Sequence, residues 1–264
     1  MPSGGKKQLP HVHKRVFCGR VIFKGMERKC WFSMSVAENI LRIRERIDAA
    51  ARQTGRSGED IILVGASKLN PAQSCREAAA AGIDALGENR VQEMIGKMAE
   101  NAYEGVPLHF IGHLQRNKVK QVVGQVALIQ SAGSVELLRE IEKAAAARNL
   151  VQPVLLEVNI GAESAKSGFL PENLSEGAQT ALSLPHVRVE GLMTIPPADA
   201  DSALNRHYFD KVYTLYVDMG KNLFHNGFRY LSMGMSGDFE DAIRAGANMV
   251  RVGTAIFGTR HYTA

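Results

Sequence analysis

One lysine and two glycine-rich segments carry groups suited to chemistry. Lys68 follows the apolar run at 61–66, with Ser67 between them. If that run is a buried strand, the lysine amine is partly desolvated, which lowers its pKa and leaves more of the neutral amine that attacks carbonyl carbons. A solvated lysine that merely ends a strand is the alternative, and spacing alone leaves both interpretations open.

The two glycine-rich segments suit an anion. Ser232 to Gly237 reads SMGMSG, and Arg251 to Thr254 reads RVGT. Small side chains let backbone N–H groups approach a phosphate, and hydroxyls add donors. Ordinary turn chemistry would explain either segment alone. Together with Lys68, the segments indicate a phosphorylated aldehyde. It would be either pyridoxal phosphate (PLP) held as a Schiff base or a sugar phosphate in a lysine-dependent aldolase.

Eight short apolar runs separated by helical patterns must position these groups. The predicted strands are 61–66, 85–87, 108–111, 126–130, 153–159, 187–192, 230–233 and 249–252. The predicted helices are 35–54, 71–81, 91–102, 117–123, 135–148, 171–182, 205–222 and 239–245. Eight such units favour an α/β fold of the single-domain (β/α)8 TIM barrel type, for which about 250 residues are usual. Periodicity alone leaves a doubly wound open sheet as the alternative. In a barrel, Lys68 and both segments fall at the carboxyl ends of strands, where barrel sites lie.

The basic charge of the chain is confined to its beginning. The 264 residues carry a formal net charge of +5. Residues 1–33 hold eight Lys and Arg against one Glu, or +7, and the remainder carries −2. We therefore expect 1–33 to be a disordered N-terminal extension outside the fold and 34–264 to form the barrel. A slightly acidic body without a basic aromatic surface pattern argues against nucleic-acid binding.

Cysteine usage and hydropathy point to the cytoplasm. The three cysteines, Cys18, Cys30 and Cys75, are far apart, and an odd count argues against a disulfide scaffold. No apolar run approaches the roughly 20 residues of a membrane span, and the N-terminus lacks the apolar stretch of a secretory signal. No grouping of His, Cys and carboxylates predicts a metal site. We expect a cytoplasmic protein without a membrane segment.

Six motifs, in order, resemble one known family. They are LVGASK (63–68), GENRVQE (87–93), HFIGHLQRNK (109–118), GLMTI (191–195), LSMGMSGD (231–238) and VRVGTAIFG (250–258). The sequence resembles the pyridoxal phosphate homeostasis proteins of the YggS/PROSC type, which are similar to the barrel domain of bacterial alanine racemase. The resemblance runs from about Met34 to Tyr262 and does not cover residues 1–33.

The resemblance implies roles for nine residues. Lys68 matches the lysine that forms the internal aldimine with PLP. The other matched positions are Ser232, Gly253 and Thr254 at the phosphate, with Ser236 close by, and Asn89, Met193 and Met233 lining the cofactor. Arg251 matches an arginine that faces the pyridine nitrogen. Leu69 stands where family members often have Thr, and we expect it to lie beside the cofactor without changing binding.

Arg251 also bears on what the bound cofactor could do. A guanidinium stays charged and can only donate to an unprotonated pyridine nitrogen, so the ring stabilises a carbanion poorly. Racemases of the related barrel work under this limit with a catalytic tyrosine and a second domain. Here the last predicted strand is followed by about a dozen residues, so we expect no second domain to shield the site or supply an opposite-face base.

These features together predict a PLP-binding protein that stores, shields or delivers PLP and has no dedicated catalytic reaction. The implied partners are PLP and apo PLP-dependent enzymes, and we expect a monomer. A PLP-dependent amino-acid racemase is the alternative, and an aldolase that uses Lys68 without PLP is the third hypothesis.

Overall fold

The computed structural model describes residues 35–198 and 200–258, without the side chain of residue 226. The prediction that 1–33 form an extension outside the fold concerns residues beyond these ranges, and it stays a prediction.

Eight parallel strands close into a barrel in the order β1-β2-β3-β4-β5-β6-β7-β8. The strands are β1 Ile62–Ala66, β2 Ala85–Glu88, β3 Leu108–Phe110, β4 Leu128–Ala132, β5 Gln152–Val158, β6 Val187–Thr194, β7 Tyr230–Ser232 and β8 Met249–Val252. The first and last strands pair directly, with Val64 opposite Arg251. This closure confirms the predicted (β/α)8 barrel and excludes the open sheet.

Helices follow the strands around the barrel. The α-helices are α1 Val36–Arg52, α2 Ala72–Ala80, α3 Val91–Ala99, α4 Val119–Val122, α5 Val135–Ala146, α6 Leu174–Leu182, α7 Ser202–Met219, α8 Phe239–Arg244 and α9 Thr254–Phe257. Ser35 and Ser134 cap α1 and α5 with side chains that accept backbone N–H groups, as their residue types favour. The short α9 was not predicted, because a single turn after a strand carries too little periodicity to detect.

The fourth strand begins two residues later than the predicted 126–130. Gly124 has a φ of +75° and prolongs the turn before the strand. The strand then continues through Gln130 and Ser131, both buried polar residues. An apolar pattern ends at such residues, so it placed this strand too early.

The apolar core has two parts. The smaller part is a cluster of six side chains, all from barrel strands, and these are Val64, Ala85, Leu128, Leu155, Met193 and Met249. A much larger cluster joins the strands to the helices; Leu63 of β1 and Ile43 of α1 both belong to it. Adjacent strand residues such as Leu63 and Val64 thus point to opposite faces. The remaining interior positions are polar, and they belong to the site described below.

The seam between β6 and β7 depends on one glycine. Gly191 pairs with Tyr230 and has a φ of +155°. A Cβ at this position would lie 1.7 Å from the carbonyl oxygen of Tyr230, which is backbone and cannot move aside. Three residues later, Thr194 ends β6 at the carboxyl end of the barrel, so this seam also positions the site.

We predict that Gly191→Ala either prevents folding or lowers the free energy of unfolding by more than about 4 kcal/mol, since the added methyl must separate two strands. Denaturant unfolding would measure the loss. The control is Gly96→Ala in α3, where a Cβ meets nothing within 4 Å and should stabilise the helix by about 0.5–1 kcal/mol. A cost below about 1 kcal/mol for Gly191→Ala would contradict the close approach.

Candidate functional site

The strand register places β1, which leads to Lys68, beside β8, which carries Arg251. Val64 of β1 pairs with Arg251 of β8, and Ala66 pairs with Gly87 of β2. Lys68 lies two residues beyond Ala66 and is half-buried. Lys68 therefore leaves the carboxyl end of β1 between the loops that follow β2 and β8, as the barrel prediction requires.

Arg251 is a buried cation inside the barrel. Its side chain donates from Nη1 to the Ser232 hydroxyl at 2.6 Å and from Nη2 to the Thr194 carbonyl at 2.8 Å. Burial lowers its pKa to about 10, while the charges of Asp238 and Glu157 act in the opposite direction. At neutral pH the guanidinium therefore stays charged, and the carboxyl groups of Glu157 on β5 and Asp238 in the loop after β7 favour that charge.

A chain of hydrogen bonds runs from this arginine across the barrel. The Ser232 hydroxyl donates to Gln130 Oε1 at 2.7 Å, and Gln130 Nε2 lies 3.0 Å from His109 Nδ1. Because Arg251 can only donate, each following group must accept on one side and donate on the other. His109 Nδ1 is then the acceptor, and the neutral ring carries its proton on Nε2. Burial lowers the His109 pKa to about 4, in agreement with a neutral ring.

Sequence reasoning missed Gln130 and His109. Both are buried polar residues in strands that otherwise read as apolar. A polar residue inside an apolar run is the signal that could have found them, because buried polar groups need partners. The predicted contact of Ser232 with a phosphate stays a prediction; among the described residues its hydroxyl accepts from Arg251 and donates to Gln130.

The loops after β7 and β8 meet through Ser236. Its hydroxyl oxygen accepts the N–H of Gly253 at 3.2 Å and the N–H of Ala255 at 3.4 Å. Gly234, with a φ of +93°, makes the turn that starts the first loop, and a Cβ there would lie 2.6 Å from Ala242. Thr254 begins α9 and is exposed. The structure therefore brings Ser236, Gly253 and Thr254 together. Their small side chains, two hydroxyls and nearby backbone N–H groups lie in the same loop region.

Asn89 follows β2 and lines a cavity of about 550 Å³ at the carboxyl end of the barrel. The other lining residues are Ile111, Gly112, His113, Glu157, Val158, Asn159, Ala165, Lys166, Ser167 and Ile195. Asn89 Oδ1 is buried and has no hydrogen-bond partner in the described part of the chain. Burial raises the pKa of Glu157 in the same cavity, although Ser167 donates to its carboxylate at 2.9 Å.

The two methionines predicted to line a cofactor lie in different parts of the core. Met193 belongs to the six-residue cluster of the barrel strands, and Met233 belongs to the larger cluster that includes the helices. Both are fully buried. Contact with a cofactor stays a prediction for each.

The described residues contain neither a cluster of metal-ligating side chains nor a membrane-spanning helix. In 35–198 and 200–258, no group of three or more His, Cys, Asp and Glu could hold a metal ion. None of the helices in these ranges is both long and apolar enough to cross a membrane.

Comparison with known proteins shows the family of this chain. The family described as "Alanine racemase, N-terminal domain" matches residues 37–261. A protein of Aquifex aeolicus named "Pyridoxal phosphate homeostasis protein" is 44% identical over 87% of this chain and 100% of its own length. A protein of Pseudomonas aeruginosa with the same name is 39% identical over 87% of this chain and 98% of its own length. The chain belongs to the pyridoxal phosphate homeostasis protein family.

Solved structures agree with the family and the fold. PipY of Synechococcus elongatus, solved with PLP bound, is 30% identical, covers 85% of this chain and 100% of its own, and superposes with a TM-score of 0.74. Alanine racemase of Clostridium difficile is 20% identical, covers 85% of this chain and 57% of its own, and has a TM-score of 0.64. The second likeness shows the shared barrel alone. The predicted resemblance to the homeostasis family is thus confirmed.

The depressed pKa of His109 predicts a pH dependence of folding. Between pH 6.5 and about 4 the unfolded chain binds a proton at this residue and the folded chain does not, so stability falls as the pH falls. The loss attributable to His109 is about 3 kcal/mol by pH 4. Urea unfolding at pH 7 and pH 4 would measure it.

His109→Asn is the control for that measurement, because an amide oxygen replaces the Nδ1 acceptor and does not titrate. The difference between wild type and His109→Asn should grow in favour of the variant as the pH drops. Parallel pH profiles for the two proteins would rule out a buried neutral His109 as the cause.

Proposed function

We propose that this protein binds PLP at the carboxyl end of the barrel and holds it as a Schiff base on Lys68. It stores, shields or delivers the cofactor and has no dedicated catalytic reaction. The observation that carries the proposal is the buried Arg251 guanidinium on β8, the strand next to β1. The loop proposed to hold the phosphate follows this strand, at Gly253 and Thr254. The relatives named for PLP homeostasis and the PLP-bound PipY structure support it.

The residues present fit PLP. Two of the five N–H groups of Arg251 donate to acceptors among the described residues, so further donors exist at a buried position. Asn89 Oδ1 is a buried acceptor that a ligand donor would satisfy. The N–H groups of Gly253 and Ala255 converge on the Ser236 hydroxyl, a donor set suited to a phosphate. When bound, PLP supplies an aldehyde carbon with which a primary amine condenses, releasing water.

Each predicted residue has a distinct proposed task. Lys68 supplies the amine. Ser236, Gly253 and Thr254 hold the phosphate, and Ser232 acts on the cofactor through Arg251, which its hydroxyl orients. Asn89, Met193 and Met233 line the cofactor, and both methionines are fully buried.

The absence of a catalytic reaction is proposed from Arg251. A donor-only group at the pyridine nitrogen leaves that nitrogen unprotonated, so negative charge at a substrate carbon is poorly stabilised. The site then favours keeping and exchanging the cofactor over turning substrate over. We propose apo PLP-dependent enzymes as recipients and a monomer as the working form, and the cytoplasm as its location.

We predict that borohydride traps PLP on Lys68 and that Lys68→Ala abolishes both the trapped adduct and the visible absorption of the purified protein. The reason is that the Schiff base needs a primary amine at this position. Peptide mass spectrometry would locate the adduct. The control is Lys143→Ala, at an exposed lysine on α5, which should keep the spectrum. An unchanged chromophore in Lys68→Ala would sink the assignment.

A separate prediction tests the claim that the protein has no dedicated reaction. The PLP-loaded protein in deuterated water should exchange the α-hydrogen of alanine no faster than free PLP does, since the arginine-bound ring is a weak electron sink. Proton NMR of the amino acid would follow the exchange. Steady exchange with turnover would favour the racemase hypothesis. A protein that stays colourless with added PLP would favour the aldolase hypothesis.

A further inference from the structure

A buried polar cluster contacts the turn formed by Ser67, Lys68 and Leu69, which we call the Lys68 turn. The cluster is not part of the site described above. We call it the Glu88 cluster, and its members are Ser67, Glu88, Glu93, Lys97 and Tyr103. One oxygen, Glu88 Oε1, accepts from Ser67 Oγ at 2.6 Å, from Lys97 Nζ at 2.6 Å and from Tyr103 OH at 3.0 Å. Lys97 Nζ also donates to Glu93 Oε1 at 2.8 Å. The cluster therefore joins β2 and α3 to the end of β1.

The ionic state of this cluster follows from its surroundings. Burial alone would lower the Lys97 pKa, but the hydrogen bonds to Glu88 and Glu93 and the charge of Glu88 outweigh it and hold the pKa above its ordinary value. Burial and the nearby Glu88 charge raise the pKa of Tyr103, so its phenol keeps its proton and donates. Lys97 is thus a charged hydrogen-bond donor with little exposure to solvent.

Such a cluster is poorly explained by stability alone. Glu88 is fully buried and Lys97 nearly so. Desolvation of buried ion pairs offsets much of their attraction, and apolar residues of similar volume often stabilise as well or better. Glu88 Oε2 has no hydrogen-bond partner among the described residues, which adds a further cost. A role in positioning the neighbouring backbone explains the cluster better.

The cluster holds the three residues centred on Lys68. Lys97 Nζ donates to the Ser67 carbonyl at 2.8 Å, and the Leu69 N–H donates to Glu93 Oε1 at 2.5 Å. The peptide group before Lys68 is therefore anchored by Lys97 and the one after it by Glu93, and these two side chains bind each other. Leu69 has a φ of +62°, a left-handed conformation that a non-glycine residue adopts only when its surroundings enforce it.

We propose that Glu93 is a positioning residue which, together with Lys97, fixes the backbone on both sides of Lys68 and so slows the loss of PLP from that lysine. The inference rests on the proposed Schiff base at Lys68. Glu93 does not touch the cofactor in this scheme; it acts through the Leu69 N–H and through Lys97. Release of PLP to another amine requires the Lys68 side chain to move, and the anchored turn resists that movement.

The test compares release of PLP from three variants. The probe is excess hydroxylamine, whose nitrogen replaces the lysine nitrogen on the PLP carbon and leaves Lys68 as the free amine. Loss of visible absorption gives the rate. Glu93→Ala should release PLP at least about tenfold faster, as expected when one hydrogen bond to a charged group is lost. Glu93→Gln should stay near the wild-type rate, because its amide oxygen still accepts the Leu69 N–H.

Glu142→Ala is the matched control for stability. Glu142 and Glu93 have the same 18% side-chain exposure, and each accepts a backbone N–H and one basic side chain. Glu142 lies on α5, away from Lys68, and its partners are the backbone N–H and the Nδ1 of His186, both at 2.8 Å. Thermal unfolding should shift by similar amounts in both alanine variants, while release changes in Glu93→Ala alone. Equal rates of PLP release from Glu93→Ala and Glu142→Ala, or an unchanged rate in Glu93→Ala, would overturn the inference.

A second measurement does not need PLP. Hydrogen exchange at the Leu69 amide should be slow in the wild type and in Glu93→Gln, and faster in Glu93→Ala. An unprotected Leu69 amide in the wild type would refute the positioning role even if PLP binds. If Leu69 is protected but borohydride traps nothing on Lys68, the proposed function fails instead, and the role of Glu93 in PLP release fails with it.

Discussion

A guanidinium inside a barrel sets the direction of every hydrogen bond around it. Arg251 has donors and no acceptor, so Ser232 must accept from it and pass its own proton to Gln130. The amide of Gln130 must then present its NH2 group to His109, whose ring is held neutral. Four residues from β3, β4, β7 and β8 thus share one arrangement, and each strand must stay in register for it to form.

This constraint divides the barrel interior. Apolar side chains such as Val64 and Met249 fill the small cluster of the barrel strands. The polar chain fills other interior positions, because a buried cation needs acceptors that water no longer supplies. Gly191 contributes at a distance, since it lets β6 approach β7 closely enough for Thr194 and Ser232 to reach the same guanidinium.

Lys68 lies between two buried polar systems of opposite character. On the β8 side, Arg251 presents positive charge and donors. On the β2 and α3 side, Glu88 and Glu93 hold Lys97 and the Lys68 turn. The first system suits an anionic cofactor with an unprotonated ring, and the second holds the backbone on both sides of Lys68, the proposed attachment point. Both properties agree with a protein that keeps PLP bound and gives it up under control.

Much of the architecture could be predicted from local pattern. Apolar runs such as 61–66 and the serine cap at Ser134 depend on neighbouring residues, so the order of strands and helices was predicted correctly. The prediction failed where local signals are weak or reversed. The fourth strand was placed two residues early because Gln130 and Ser131 interrupt its apolar run, and α9 is too short to show periodicity.

The sequence by itself determined the order of strands and helices, the family, and the lysine and loops that follow the strands. It did so because these features are local or depend on strand order alone. Only the tertiary structure decided which polar residues meet inside. Gln130 is 102 residues from Ser232 in the chain, and Lys97 is 30 residues from Ser67. Closure of the barrel and packing of α3 bring such partners together, and a charge buried there must find them or unfold the site.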